Sequence, residues 1–206
     1  MSNPWKEIKL SDYENHMKLD SILQLQALNQ IMKKQFLQFP VKTIMVLGVA
    51  GGNGLEHIKP QSVDKLFAVD INSEYLKACK ERYPYLKKIM QPICIDLLSE
   101  NCYLPHAQLI IANLLIEYIG YECFQRVIVG VAPEHVSCVI QINIDAGFVS
   151  DSPYIHVFDN LECVHHQIDE QATIKAMNDI GYNMVCNEET VLPNKKKLVR
   201  FDFRRC

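Results

Sequence analysis

The stretch Val46-Leu47-Gly48-Val49-Ala50-Gly51-Gly52-Asn53-Gly54 decides how this chain is read. An apolar run over 44–47 leads directly into glycines, and Asp70 closes the next apolar run, Leu66-Phe67-Ala68-Val69. The pattern predicts a buried strand that turns tightly into a helix, with a carboxylate at the tip of the neighbouring strand. Glycines let backbone approach a ligand closely, and a carboxylate in that place accepts hydrogen bonds from a ribose diol. Such geometry suits an adenosine-containing cofactor at the carboxyl edge of a parallel sheet. A purely structural turn is the competing explanation for the glycines.

The order of the glycines separates the possible cofactors. A dinucleotide fingerprint requires G-x-G-x-x-G facing a pyrophosphate. Counted from Gly48, those three positions hold Gly48, Ala50 and Asn53, so the fingerprint is not met. The run instead resembles motif I of the class I S-adenosylmethionine-dependent methyltransferases, a hydrophobic-Leu-acid-x-Gly-x-Gly-x-Gly pattern. Aligned on Gly52 and Gly54, its first glycine falls on Ala50 and its acidic residue on Gly48.

Further landmarks of that family follow in order. Asp70 stands where the second strand ends in an acid, and Ile93-Cys94-Ile95-Asp96-Leu97 resembles the third strand with its terminal acid. Leu109-Ile110-Ile111-Ala112-Asn113-Leu114-Leu115 resembles the fourth strand and motif IV, and Val131-Ala132-Pro133-Glu134-His135-Val136 the turn before the fifth. Met177-Asn178-Asp179-Ile180-Gly181-Tyr182 resembles the helix end before the sixth. The resemblance spans about residues 41–203.

It implies an α/β fold: a doubly wound, mostly parallel seven-stranded sheet with an antiparallel C-terminal hairpin. It implies S-adenosylmethionine as cofactor and methyl transfer to a small-molecule acceptor as the activity. A non-catalytic cofactor-binding protein and a protein or RNA methyltransferase are the alternatives. Carried over position by position, Gly48, Ala50, Gly52, Asn53 and Gly54 border the methionine part of the cofactor. Asp70 takes the ribose, Ile71 packs on the adenine, Asp96 accepts from its amino group, and Leu97 lies against the ring. Asn113 faces the departing methyl group. Gly48 removes the acid that commonly orients the methionine ammonium, and Asn53, Asn113 or Glu56 are the available replacements. For Asp70 and Asp96, helix capping is the alternative role.

Bulk properties agree with one domain. A chain of 206 residues with 49% hydrophobic content can bury a sheet between helices. The net charge of -3 predicts no broad nucleic-acid surface. No apolar run approaches the roughly 20 residues of a membrane span, and the N-terminus lacks a signal-peptide pattern. A cytoplasmic protein is expected, with oligomeric state left open. Eight cysteines are scattered without a C-x-x-C pair, so they are expected to be reduced. His165-His166 is the one histidine pair, and neighbours in sequence rarely face one ligand on a helix, so no metal site is expected.

Along the chain, residues 12–39 show helical spacing, with Asp20-Ser21 as a possible cap for a second helix and Pro40 as the stop. Residues 1–40 are expected to form a helical lid over the cofactor domain, 41–206. Strands are expected near 42–48, 64–70, 90–96, 107–113, 136–143, 182–190 and 197–204. Helices are expected near 52–59, 73–83, 117–130 and 166–180. Val191-Leu192-Pro193-Asn194-Lys195 leaves no room for a crossover helix, which separates this sheet from a dinucleotide-binding one.

The irregular stretch 143–165 follows the fifth strand and is long enough to be functional. Tyr13, His16, Asn113, Glu117 and Tyr154 are the candidate pocket residues. Ordinary packing explains the tyrosines and His16 equally well, and the helix dipole explains Glu117. Methyl transfer from a sulfonium needs chiefly alignment and exclusion of water, so the sequence singles out no catalytic residue. Lys195, Lys196, Lys197, Arg200, Arg204 and Arg205 make a basic hairpin, read as a solvated turn with RNA binding as the alternative.

Overall fold

The computed structural model describes residues 3–143 and 147–206. After a short 3-10 turn, Pro4–Lys6, come helices α1 (Leu10–Met17) and α2 (Gln24–Gln38). Strands β1 (Thr43–Leu47) and β2 (Lys65–Asp70), helix α3 (Ser73–Arg82), and strands β3 (Met90–Cys94) and β4 (Leu109–Asn113) follow. Helix α4 (Ile116–Val131), β5 (His135–Ile142), α5 (Glu170–Asp179), β6 (Tyr182–Val191) and β7 (Lys197–Arg205) complete the chain.

The strands form one sheet in the order β3-β2-β1-β4-β5-β7-β6. All pairings are parallel except those of β7, which runs against both β5 and β6. Chain order reverses between β1 and β4, so the ligand crevice of a doubly wound sheet opens at the carboxyl ends of these two strands. The central strands are apolar throughout because helices cover both faces. Ile44 and Val46 pack with Met32, Leu55, Leu76 and Cys79 on one side. Met45 and Leu47 pack with Ile116, Phe124, Ile128 and Met177 on the other. Pro92 is tolerated in β3 because that strand lies at the sheet edge.

Three expected helices differ. The stretch 52–59 makes only a 3-10 turn, Leu55–His57. Gly54 enters it at φ 91°, and Lys59 precedes Pro60, which disfavours helical backbone. Helix α2 fills the space beside the turn: a Cβ on Gly54 would lie 2.5 Å from Met32 Cβ. Helix α4 is broken at Gly120, whose φ of 71° and ψ of 168° are not helical. Helix α5 starts only at Glu170, because Asp169 caps it by accepting from the Ala172 amide.

The N-terminal helical region is likewise two helices, but Asp20-Ser21 does not cap the second. Ile22 is buried, and the amides of Ile22 and Leu23 both donate to the Leu19 carbonyl. The resulting turn leaves Leu23, at φ 52°, as the residue before α2. Residues 144–146, part of the irregular stretch, lie outside the described residues. Beyond them the stretch winds into 3-10 turns over Ile155–Cys163. All eight cysteines are free. Among the described residues, no helix is long and apolar enough to cross a membrane.

Candidate active site

The loop after β1 is held open by backbone conformations that side chains resist. Gly48 has φ 67° and Ala50 φ 47°. Asp70, at the tip of β2, fixes this loop. It is 8% exposed; one carboxylate oxygen accepts from the Ala50 amide at 2.8 Å and the other from the Asn72 amide at 2.9 Å. Burial pushes the Asp70 pKa up while these amides pull it back. Each carboxylate oxygen has a second lone pair, so both bonds leave room for ligand hydroxyls.

A cleft enclosing about 700 Å³, its open mouth included, lies over this carboxylate. Its walls include Gly48, Ala50, Asp70, Ile71, Asp96, Leu97 and Asn113, which the sequence nominated. Its other walls include Trp5, Tyr75, Ile95, Tyr118 and Ile119, none of them assigned to the cofactor from sequence. Asp96 also binds the Leu98 amide at 3.0 Å. Trp5 is brought over the cleft because Asn72 donates to its carbonyl at 2.9 Å.

A second cavity runs from Gly48 through Gly51 and Asn53 beneath α1 and α2. Glu14 of α1 reaches it and forms a bidentate pair with Arg82 of α3, at 2.7 and 3.0 Å. Arg82 also donates to the Gly51 carbonyl at 3.0 Å. A carboxylate therefore borders the cavity, held by a guanidinium that is itself tied to the glycine loop. Neither was read from sequence, since their partnership spans 68 positions. Gly48 explains why no acid stands on the loop itself. Its φ is positive, and a Cβ there would approach Leu115 Cδ1 at 3.3 Å.

Gly52 and Gly54 do not line these cavities. A Cβ on Gly52 would meet Cys79 Sγ and Tyr83 at 2.8 Å, and Gly54 backs onto Met32. They permit close packing of α3 and α2 against the loop. Asn53 borders the second cavity, with its amide donating to the Leu25 carbonyl. Glu56 is held by Asn29 and Tyr83.

Asn113, at the tip of β4, borders both cavities. Its amide pairs reciprocally with the fully buried Gln35, at 2.9 Å in each direction. Gln35 also donates to Ser137 Oγ, which donates to Asp202; Asp202 in turn holds Arg200. This buried chain of hydrogen bonds fixes the Asn113 side chain.

A third cavity adjoins the first and is lined by Trp5, Tyr13, His16, Met17, Gln24, Leu114, Glu117, Tyr118, Gln141, Phe148, Val149, Phe158 and Leu161. Glu117 is 5% exposed, and one of its carboxylate oxygens accepts from the Gln141 amide at 2.8 Å. The other has no partner among the described residues. Burial pushes the Glu117 pKa up to about 7. His16 binds Ser152 Oγ at 2.8 Å, and burial lowers its pKa to about 4, aided by Lys196. Tyr154 packs beside this region without lining the cavity; Phe148, Val149, Phe158 and Leu161 of the same stretch take that place. Tyr13 alone of the nominated pocket residues borders all three cavities.

No family model matches the sequence, and neither does any curated protein. Solved structures do match. An N-methyltransferase, NodS from Bradyrhizobium japonicum, in complex with S-adenosylhomocysteine, superposes with TM-score 0.68 at 12% identity, covering 99% of each chain. The fold is that of the class I methyltransferases. Magnesium protoporphyrin IX methyltransferase from Synechocystis, with bound S-adenosylhomocysteine, gives 0.66 at 11% identity, covering 98% of this chain and 93% of that one. The [4+2]-cyclase SpnF gives 0.64 at 7% identity, covering 87% and 80%. At such identities the likeness establishes fold; function has to come from the site.

Proposed function

We propose that this protein is an S-adenosylmethionine-dependent methyltransferase acting on a small molecule. The observation that carries the reading is the convergence of three cavities on Tyr13. The first has an apolar slot between Ile71, Ile95, Leu97 and Ile119 for adenine, with Asp70 below for the ribose diol. Asp96 stands at its edge for the adenine amino group. The second runs along the glycine loop and suits the methionine tail, whose ammonium meets Glu14. This carboxylate, held by Arg82, replaces the acid missing at Gly48. The third serves as the acceptor pocket. At the junction the sulfonium methyl faces the acceptor, and Trp5, Tyr13 and Tyr118 exclude water.

The chemistry is an in-line displacement, in which the acceptor lone pair forms the new bond as the carbon–sulfur bond breaks. The protein supplies alignment and a dry site. Residues 1–40 act as the lid in this reading. The structures crystallised with S-adenosylhomocysteine or S-adenosylmethionine support the choice of cofactor. A cytoplasmic location agrees with eight free cysteines.

The basic hairpin gives little support to RNA as substrate. Lys196 and Arg200 are buried, and Lys197 pairs with Glu189. A second reading, a cofactor-binding protein without methyl transfer, is favoured by Gly48 and Ala50, which replace the acid and the first glycine of motif I. Calorimetry with S-adenosylmethionine and S-adenosylhomocysteine tests the proposal. Micromolar binding of both is expected, and absence of binding to folded protein refutes it. Binding with no transfer to any acceptor class favours the second reading.

A further inference from the structure

The third cavity holds a carboxylate that the fold itself does not satisfy. Glu117 Oε1 is used by the Gln141 amide, while Oε2 is buried with no partner among the described residues. Burying a carboxylate oxygen without a donor is costly, so the arrangement calls for a donor from elsewhere. The described lining contains no lysine or arginine. His16 is neutral at physiological pH, and the Tyr13 and Tyr118 phenols are pushed upward by burial and stay protonated. Lys196 turns its ammonium to the Gly147 and Phe148 carbonyls, at 2.6 and 2.9 Å.

We propose that the methyl acceptor is a small amine, held as its ammonium by Glu117 with an apolar body against Phe148, Phe158 and Leu161. The inference rests on the methyltransferase reading and names its substrate class. Aromatic faces add to the case: Trp5 lies 5.6 Å from Tyr13 and 4.9 Å from Tyr118, centroid to centroid, beside the carboxylate. Aromatic rings near a carboxylate favour a cation. A carboxylate or phosphate acceptor meets repulsion there. A neutral alcohol satisfies Oε2 but leaves its charge uncompensated.

The same group serves the reaction. An ammonium has no lone pair, so it must first lose a proton. Glu117 Oε2 takes that proton; the freed nitrogen pair attacks the sulfonium methyl carbon. The nitrogen–carbon bond forms as the carbon–sulfur pair passes to sulfur, leaving a thioether and an N-methylammonium. Glu117 then releases its proton to water when the pocket opens. A carboxyl group that titrates near neutrality is suited to both steps.

The test is calorimetry on the full chain. S-adenosylhomocysteine is titrated first into wild type and Glu117→Gln. Benzylamine, 2-phenylethylamine and tryptamine follow on the saturated proteins, beside 2-phenylethanol and 3-phenylpropionate. We expect at least one amine to bind ten-fold or more tighter than the alcohol, and the propionate not to bind. Glu117→Gln is expected to reduce the amine to the alcohol's affinity while S-adenosylhomocysteine binding stays within two-fold. Failure of S-adenosylhomocysteine to bind wild type overturns the underlying reading. With it bound, the amine assignment is overturned if no amine binds, if the alcohol or propionate binds as well, or if Glu117→Gln leaves the amine unchanged. The wild-type comparison decides the matter even where the variant fails to fold.

Discussion

Replacing Glu117 by glutamine should make the apo protein less sensitive to rising pH. In the folded chain burial raises the Glu117 pKa from 4.5 to about 7. The folded state therefore binds more protons than the unfolded state between these values, and stability falls as pH rises through the window. One extra proton held by the folded state costs about 1.36 kcal/mol for each pH unit crossed, so the loss accumulated between pH 5 and pH 8 is about 2.5 kcal/mol. Glutamine does not titrate, so the variant lacks this loss. His16 acts in the opposite direction: its lowered pKa removes stability as pH falls from about 6.5 towards 4. Both proteins share that contribution, and it cancels in their difference. So does any fixed packing cost of the amide, which can still accept from the Gln141 amide.

Urea denaturation of both proteins at pH 5, 6, 7 and 8 measures the quantity. The stability of Glu117→Gln minus that of wild type should grow by about 2.5 kcal/mol from the lowest to the highest pH. For a chain of this size that corresponds to roughly 5–10 °C in relative melting temperature. Parallel curves, within about 0.5 kcal/mol, would show that Glu117 is solvated or already paired in solution. That result would remove the premise of an unsatisfied carboxylate.

The cofactor site carries its own predictions. Asp70→Ala should weaken S-adenosylhomocysteine binding by about 1.5–3 kcal/mol, read by calorimetry, since it removes charge-assisted bonds to ribose and releases the Ala50 amide. Glu14→Gln should weaken S-adenosylmethionine by about 1 kcal/mol, and an unchanged affinity would show that the ammonium is read elsewhere. Gly54→Ala should lower stability by more than about 2 kcal/mol in urea, because its Cβ collides with Met32 Cβ at a φ of 91°; a neutral effect would mean that α2 does not pack there. Gln35→Leu should cost about 2–4 kcal/mol, leaving Asn113 and Ser137 without a buried partner.

The sheet was legible because its signals are local. Continuous apolar runs such as 44–47 and 66–69 mark strands buried on both faces, and the short turn near Pro193 leaves no alternative to a hairpin. The expected strands agree with those observed to within a few residues at their ends. The helix expected at 52–59 failed for a tertiary reason. Helicity there is opposed by α2, which lies against Gly54 from a position more than twenty residues upstream. Similarly, nothing local in Gly52 or Gly54 distinguishes a glycine that admits a ligand from one that admits a helix. Glu14 and Arg82 were invisible for the same reason, each reading as an ordinary charged residue on a helix surface.

The carboxyl edge of the sheet collects several features that work against stability. Asp70 and Glu117 are carboxylates buried there, and Ala50 and Leu114 adopt positive φ values of 47° and 53° beside them. Side chains resist that backbone region, and burial resists those charges. Asp70 is compensated within the protein by two amides, so its burial is consistent with either scaffolding or binding. Glu117 is compensated at one oxygen alone. Glutamine at that position would keep the bond from the Gln141 amide without burying a charge. Retention of a half-satisfied carboxylate in a cavity walled by aromatic rings is therefore the feature that scaffolding explains least and an incoming cationic ligand explains most.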